Sequence, residues 1–218
     1  MERAFILDKF NTYIDWKLIL ENKEIAPAEP KTNYVELDGA SGSLDLTESL
    51  TGEVAYKDRT LTAQFLTDYG NRKTREELLR DITRALHGKK VKIIEPDDLE
   101  HYYLGRFKMS KKINTLSYAQ FTLEATCEPW RYAINESVRR IDVNSQEITS
   151  LVINNNGRKT LSPNIKVEGN VNIIIDGVVS SLSDGEYKIS NLKLKEGSNI
   201  ITVSGFGSLI FTYREADL

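Results

Sequence analysis

The densest group of titratable side chains is Asp97, Asp98 and Glu100, followed at once by His101, Tyr102 and Tyr103. Clustered carboxylates can hold a metal ion or divide acid and base roles between them, and a His–Tyr pair can move a proton. Pro96 stands before the group and a strand-like run after it, so a solvated hairpin turn accounts for the same residues. No nucleophile and no third orienting group stands beside His101 in sequence. Cys127 would need a base to act as a nucleophile, and neither histidine is its sequence neighbour; a small buried apolar residue is the simpler reading. His87 closes a helical pattern, where an imidazolium complements the helix dipole. One cysteine and two histidines supply no zinc ligand set. Gly39-x-x-Gly42 lacks the Gly-Lys-Ser/Thr of a phosphate loop and opens no helix. Gly205-Phe-Gly207 reads as a bulge or turn. These residues predict no catalytic, metal or cofactor site, and hence no enzyme.

Charge excludes further classes. Lys and Arg number 29 against 32 Asp and Glu, a net charge of −3. There is no basic excess to neutralise DNA phosphates. The most basic stretch, Arg72, Lys73, Arg75, Arg80 and Arg84, is interleaved with Glu76, Glu77 and Asp81 and predicts a mixed solvated helix face with a Glu76–Arg80 pair. No apolar run approaches the roughly 20 residues that span a bilayer. Asp8 falls where a signal peptide needs its apolar stretch, and the lone cysteine suits a reducing compartment, so folding in a cytosol is expected.

The elements that would carry these residues divide near position 135. Both Trp, both His, the Cys and four of the five Pro lie before it. The remainder is rich in Asn, Ser, Gly, Ile and Val. Residues 1–135 open with an alternating run in which Ile14, Trp16, Leu18 and Leu20 share one face. Pro27 and Pro30 mark an extended connector. Tyr34–Leu37 leads into the turn Asp38–Ser43, and Leu61, Ala63 and Phe65 alternate in a longer strand. Thr74 and Glu77 match a capping box, and Leu78, Leu79, Ile82, Ala85 and Leu86 form an apolar stripe ending at Gly88. The pattern predicts a helix over 74–87, with Arg75, Arg80 and Arg84 on its outer side. Strands follow at 91–95, 102–109 and 116–125. Residues 136–218 predict strands at 138–143, 148–154, 164–167, 171–176, 186–190, 199–204 and 208–213. The turns between them fall at 155–157, 168–170, 176–177, 183–185 and 196–198. The expected fold is mainly β: an α+β first domain with its one helix on a β-sandwich or split barrel, then a compact β-sandwich.

The order of these features resembles the distal tail protein family of siphophages and related tail-like particles. Val35-Glu-Leu-Asp-Gly39-Ala-Ser-Gly42-Ser-Leu-Asp45-Leu-Thr47 is similar to that family's hydrophobic, Gly-rich and Leu-Asp-Leu-Thr-like stretch. Tyr56-Lys-Asp-Arg59 resembles its Tyr-x-Asn-Arg, with Asp58 where Asn is common. Leu86-His-Gly88-Lys resembles Leu-x-Gly-Lys, and Tyr102-Tyr103-Leu-Gly105-Arg106 resembles Tyr-Tyr-x-Gly-Arg. Cys127-Glu-Pro129-Trp130 is similar to the family's first-domain ending. The stretches Ser162–Gly169 and Glu196–Gly205 are similar to its C-terminal sandwich.

The resemblance implies a structural protein of the virion, assembled in the bacterial cytoplasm and placed at the distal end of the tail. Its first domain would close into a ring, usually a hexamer, that joins the tail tube protein to a tail-tip hub or tail-associated lysin-type protein and lets DNA pass. Its second domain would be galectin-like or carbohydrate-module-like and face outward, in some members toward receptor-binding or accessory baseplate proteins. The arm-like insertion that docks such proteins has no counterpart in this sequence. Neither a membrane nor a sequence-specific nucleic acid is an implied partner. The motif residues above would serve structure and assembly. Two other readings stay open at this point: a carbohydrate-binding module using Tyr187 or Tyr213, and a carboxylate enzyme such as a glycoside hydrolase.

Overall fold

The computed structural model describes residues 3–218 except Ala40, Leu50, Asp176 and Gly177. The expected turn at 176–177 therefore lies outside the described residues, as does one position of the 38–43 turn. The chain forms two compact units: one ends at Arg131 and also takes in Leu218, and the other is Tyr132–Asp217. Both are dominated by strands, and the described residues contain one α-helix.

The first unit holds β1 (Ile6–Leu7), β2 (Phe10–Asn11), β3 (Ile19–Ile25), β4 (Tyr34–Glu36), β5 (Ser43–Asp45) and β6 (Arg59–Thr67). Helix α1 (Arg72–Leu86), β7 (Lys90–Glu95), β8 (Asp98–Asn114) and β9 (Ala119–Ala133, its last two residues counted with the second unit) follow. The main sheet runs β2-β1-β7-β8-β9-β6-β3, while β4 and β5 form a separate hairpin. Strand β6 buries every second residue, Arg59, Leu61, Ala63, Phe65 and Thr67, as its period requires. Phe65 lies opposite Phe121 on β9, and the rings stack 5.9 Å apart. Leu79, Ile82 and Leu86 bring α1 onto the same core. The carboxylates at 97–100 sit at the Pro96-Asp97 hairpin turn and the start of β8, as turn chemistry predicts.

Three local expectations are corrected. Residues 13–16 form a helical turn where a strand was expected. The Asn11 side chain accepts from the N–H groups of Tyr13 and Ile14, and Asp15 returns a bond to the Asn11 N–H. Ile14 is consequently 63% exposed, although Trp16 and Leu18 are buried. The helix begins earlier than 74–87, because Asn71 is the N-cap and its Oδ1 accepts from Thr74 N–H at 3.0 Å. Thr74 thus occupies the first turn and forms no capping box with Glu77. Arg75, expected in solvent, is 1% exposed. It donates to the carbonyls of Gly70 (2.6 Å), Thr115 (3.1 Å) and Leu116 (2.7 Å), tying the helix start to the β8–β9 turn. Arg80 and Arg84 do face solvent, with Arg80 near Glu76 and Arg84 near Asp81.

The second unit contains β10 (Ser137–Asn155), β11 (Asn164–Ile175), β12 (Val178–Leu182), β13 (Gly185–Tyr187) and β14 (Gly197–Tyr213). They form one sheet in the order β10-β14-β11-β12, with β13 also on β11. Three pairs of expected short strands prove to be single long ones. Residues 138–143 and 148–154 are joined within β10 through a register shift between Ser145 and Thr149. The supposed turn at 168–170 lies inside β11, and Gly205-Phe-Gly207 lies inside β14. At the crossing, Gly169 is paired with Gly207 and Gly205 with Val171. Gly169 and Gly205 have φ of +98° and +122°. A Cβ on Gly169 would come within 2.6 Å of Phe206 O, and one on Gly205 within 3.0 Å of Val171 Cα. Both halves of these strands feed one core, with Val167 and Leu209 on one side of the crossing and Ile173 and Val203 on the other. The sheet therefore curls about its glycines around that core, which Leu192 and Leu194 of the connection before β14 complete. The hairpin partner β12 was not expected from sequence.

Candidate functional site: the motif residues of the first unit

The motif residues fall into three places. Gly39, Gly42, Asp45 and Thr47 belong to the β4–β5 hairpin, where Tyr34 pairs with Asp45 and Glu36 with Ser43. Both glycines have left-handed backbone, φ +83° and +81°, and the connection needs them for that. Thr47 donates from both its N–H (2.9 Å) and its hydroxyl to Asp45 Oδ1. Those bonds hold the Asp45 carboxyl below its ordinary pKa. Every residue of β4 and β5 is exposed, and so are Leu37 and the large apolar side chains Tyr34, Val35 and Leu44. A free two-stranded hairpin is marginal in water. Four apolar side chains, Tyr34, Val35, Leu37 and Leu44, are thus open to solvent on and beside it.

Gly88, Gly105 and Arg106 line a groove of about 620 Å³, together with Asp58, Lys90 and Glu128. Gly88 follows the His87 C-cap with φ +73°, and its N–H donates to Phe107 O at 2.8 Å, so the helix end is stitched to β8. Arg106 Nη1 donates to Gly88 O, and Lys90 pairs with Glu128. Gly105 is glycine for want of space: a Cβ there would stand 2.5 Å from Cys127 Sγ and 3.0 Å from Ile93 Cδ1. The groove carries charges of both signs.

Tyr56, Arg59, Tyr103 and Pro129 lie where β6 begins. Tyr56 meets Trp130 edge-on, ring centroids 5.5 Å apart. The Arg59 guanidinium lies 5.4 Å from the Tyr103 ring centroid, and burial pushes the Tyr103 phenol above its ordinary pKa. Pro129 is two residues beyond the last β6 pairing, Arg59 with Cys127, where a missing donor costs that ladder nothing. Nearby, His101 Nδ1 is 3.0 Å from both carboxylate oxygens of Asp98, and Arg131 Nη1 is 3.3 Å from Oδ2. Burial alone would raise Asp98, but the His101 hydrogen bond and the charges of His101 and Arg131 outweigh it and hold the carboxyl low. His101 is thus a half-buried residue near the start of β8, as expected, and its ring pairs with Asp98.

Cys127 is buried, and burial pushes its thiol up to about 12. We expect no measurable reaction with DTNB in the native protein over minutes and one equivalent after unfolding in guanidinium. Prompt native labelling would contradict its place beneath Gly105. Among the described residues no group of three or more His, Cys, Asp or Glu side chains is placed to hold a metal ion. No described helix is long and apolar enough to cross a membrane.

The sequence motifs omitted two residues that matter to this geometry. Arg75, which fixes the β8–β9 turn, is one. Leu116, at the tip of that turn, is the other. Helical spacing from Leu79 and Ile82 was the available signal for the first.

No protein-family model matches the chain, and no curated protein does. The solved structures do. The crystal structure of SPP1 Dit, described as a paradigm of the hub adsorption apparatus in phages infecting Gram-positive bacteria, superposes with a TM-score of 0.71. The match covers 98% of this chain and 99% of that one, at 14% sequence identity. Over nearly the whole chain the fold is therefore that of SPP1 Dit, mainly β as the sequence predicts.

Proposed function

We propose that this chain is a structural distal tail protein, the adaptor between a phage tail tube and the hub at the tail tip. The full-length correspondence with SPP1 Dit carries the reading, since it spans both units. The placement of the motif residues supports it. They build an exposed apolar hairpin and stiffen a helix–strand junction, which suits assembly more than turnover. On this reading the first unit closes into a ring, six copies being the expected number, with the β4–β5 hairpin covered by a neighbouring subunit. DNA would pass through the lumen, and the net charge of −3 per copy leaves no basic excess to retain it.

Negative-stain microscopy and light scattering test the ring, first on the chain alone and then with the tube and hub proteins of its own particle. Six-fold rings are expected in at least one of these mixtures. A chain that stays monomeric at every concentration and joins neither protein overturns the reading. The carbohydrate-module alternative has no supporting observation of comparable reach. A glycan array that responds to loss of Tyr187 would favour it.

A further inference from the structure

Strand β10 ends on Asn155, and Asn156-Gly157 opens the connection to β11. It is the one Asn-Gly pair of the sequence. An asparagine followed by glycine is prone to deamidation, because no side chain shields the glycine nitrogen and its backbone turns freely. Here the fold demands that glycine. Gly157 is buried, and a Cβ on it would stand 2.5 Å from Ala216 O and 2.7 Å from Ala216 N. Asn156, by contrast, is exposed. Its Nδ2 donates to both carboxylate oxygens of Glu215, at 3.1 and 3.4 Å, and its N–H donates to Oε1 at 3.3 Å. The Gly157 N–H donates to Asn155 Oδ1 at 3.1 Å. Asn155 is fully buried and fixed in turn, its Nδ2 donating to the carbonyls of Lys159 (3.0 Å) and Leu194 (3.1 Å). The two groups that would react, the Asn156 amide and the Gly157 nitrogen, are thus both engaged with other partners.

We propose that Asn156-Gly157 is a site of spontaneous deamidation that the folded chain keeps shut, with Glu215 as the latch, and that conversion loosens the C-terminal segment. In the reaction the Gly157 nitrogen gives its proton to hydroxide and attacks Asn156 Cγ. The Cγ–Nδ2 bond breaks, and ammonia leaves with a proton taken from water. Water then opens the cyclic imide at either carbonyl, leaving aspartate or isoaspartate at position 156. The bond to Asn155 keeps the Gly157 proton in place. The Glu215 carboxylate opposes the negative charge that builds on Asn156 Oδ1 as the nitrogen adds. Either product sets a new carboxylate against Glu215 where the amide donated, and like charges repel. Isoaspartate also lengthens the backbone beside Gly157, where Ala216 leaves no room. The bonds at risk are Lys159 N–H to Ala216 O, 3.1 Å, and Ala133 N–H to Glu215 O, 3.0 Å. The inference stands on this seam alone and does not require the ring.

Peptide mapping by mass spectrometry tests it, on the full chain incubated in mildly alkaline buffer, folded and in guanidinium side by side. Unfolded, the chain is expected to deamidate at Asn156 before Asn154, Asn155 or any other asparagine. Folded, it should react at Asn156 about tenfold to a hundredfold more slowly, the range that a hydrogen bond to a charged group supports. Folded Glu215→Ala should deamidate about tenfold faster than the folded wild type. Glu215→Gln still accepts the Nδ2 bond and should fall between them. Asn156→Asp installs the charge of the product and should melt below Asn156→Ala. Should Glu215→Ala fail to fold, the wild type decides in guanidinium below its unfolding transition: deamidation at Asn156 is expected to rise in step with hydrogen exchange of the Gly157 amide. The proposal is overturned if folded and unfolded wild type react at one rate, or if another asparagine reacts first in the unfolded chain. It is equally overturned if folded Glu215→Ala reacts no faster than the wild type, or if deamidation ignores the opening of Gly157. Asn156→Asp melting at or above Asn156→Ala overturns the loosening.

Discussion

Gly205→Ala is expected to lower the melting temperature of the second unit by about 15 °C or more. Two costs combine. A side chain at φ +122° occupies backbone space that is essentially reserved for glycine, at about 1–3 kcal/mol. The new Cβ also runs into Asn170 O and comes within 3.0 Å of Val171 Cα, both backbone of the paired strand, which cannot move aside without opening the β11–β14 ladder. Overpacking of that kind adds about 1–3 kcal/mol. In a unit of this size each kcal/mol is worth about 4–8 °C. Gly197→Ala is the control. Its φ is +87°, yet a Cβ there meets nothing within 4 Å, so only the backbone cost remains. Hydrogen exchange should show loss of protection in β11 and β14 for Gly205→Ala and little change for Gly197→Ala. Equal effects at the two sites would mean that close approach of the strands is not what requires Gly205.

Arg75→Ala is expected to destabilise the first unit by about 3–5 kcal/mol, read as the shift in guanidinium unfolding. Three carbonyls lose their donor, and the space left lies between the helix and the β8–β9 turn. Arg75→Met keeps most of the volume and should cost less than the alanine variant, by roughly the cavity contribution. In both variants exchange at residues 114–118 should rise first, because Arg75 is what anchors Thr115 and Leu116. A surface substitution such as Arg84→Ala, whose charge is exposed beside Asp81, should stay within about 0.5 kcal/mol. If Arg75→Ala behaved like Arg84→Ala, the buried bonds would be making no net contribution.

These two sites also show what the sequence reveals and where it misleads. The helix was legible because Leu79, Ile82 and Leu86 recur at its period. Its start was misplaced because Asn71 and Thr74 are both good caps, and only the three-dimensional approach of the chain selects Asn71. Arg75 was misassigned because charge outweighed position, although it stands four residues before Leu79 on the same stripe. In the second unit Gly169 was read as a turn and Gly205 and Gly207 as a bulge or turn, since glycine marks turns and in-strand bends alike. The alternation held the missing information. Val167, Val171 and Ile173 keep one parity through Gly169, and Val203, Leu209 and Phe211 keep one parity through Gly205 and Gly207. A continued parity means one strand bent at its glycines.

The candidate site was legible only as a set of motifs. That Gly105 must be glycine follows from Cys127, which the fold brings against it from another strand. Arg59 was closer to hand. It was named as a motif residue, and its parity with Leu61, Ala63 and Phe65 was the sign that it faces the core.

The pairing of β10 with β14 sets a timetable for the ribosome. Ser137 finds its partner at Tyr213 and Asn155 at Gly197, with β11, β12 and β13 lying between in the chain. During synthesis β10 therefore emerges long before the strand that will cover its inner edge. For that interval its apolar residues, Val143, Leu151 and Ile153 among them, are offered to any other nascent copy on the same message. The charges Arg139, Arg140, Asp142 and Glu147 discourage such pairing over the first half of the strand, while Ile148–Asn155 carries none. Translation speed and chaperone capture across residues 148–197 should thus govern how much of the protein is recovered in soluble form.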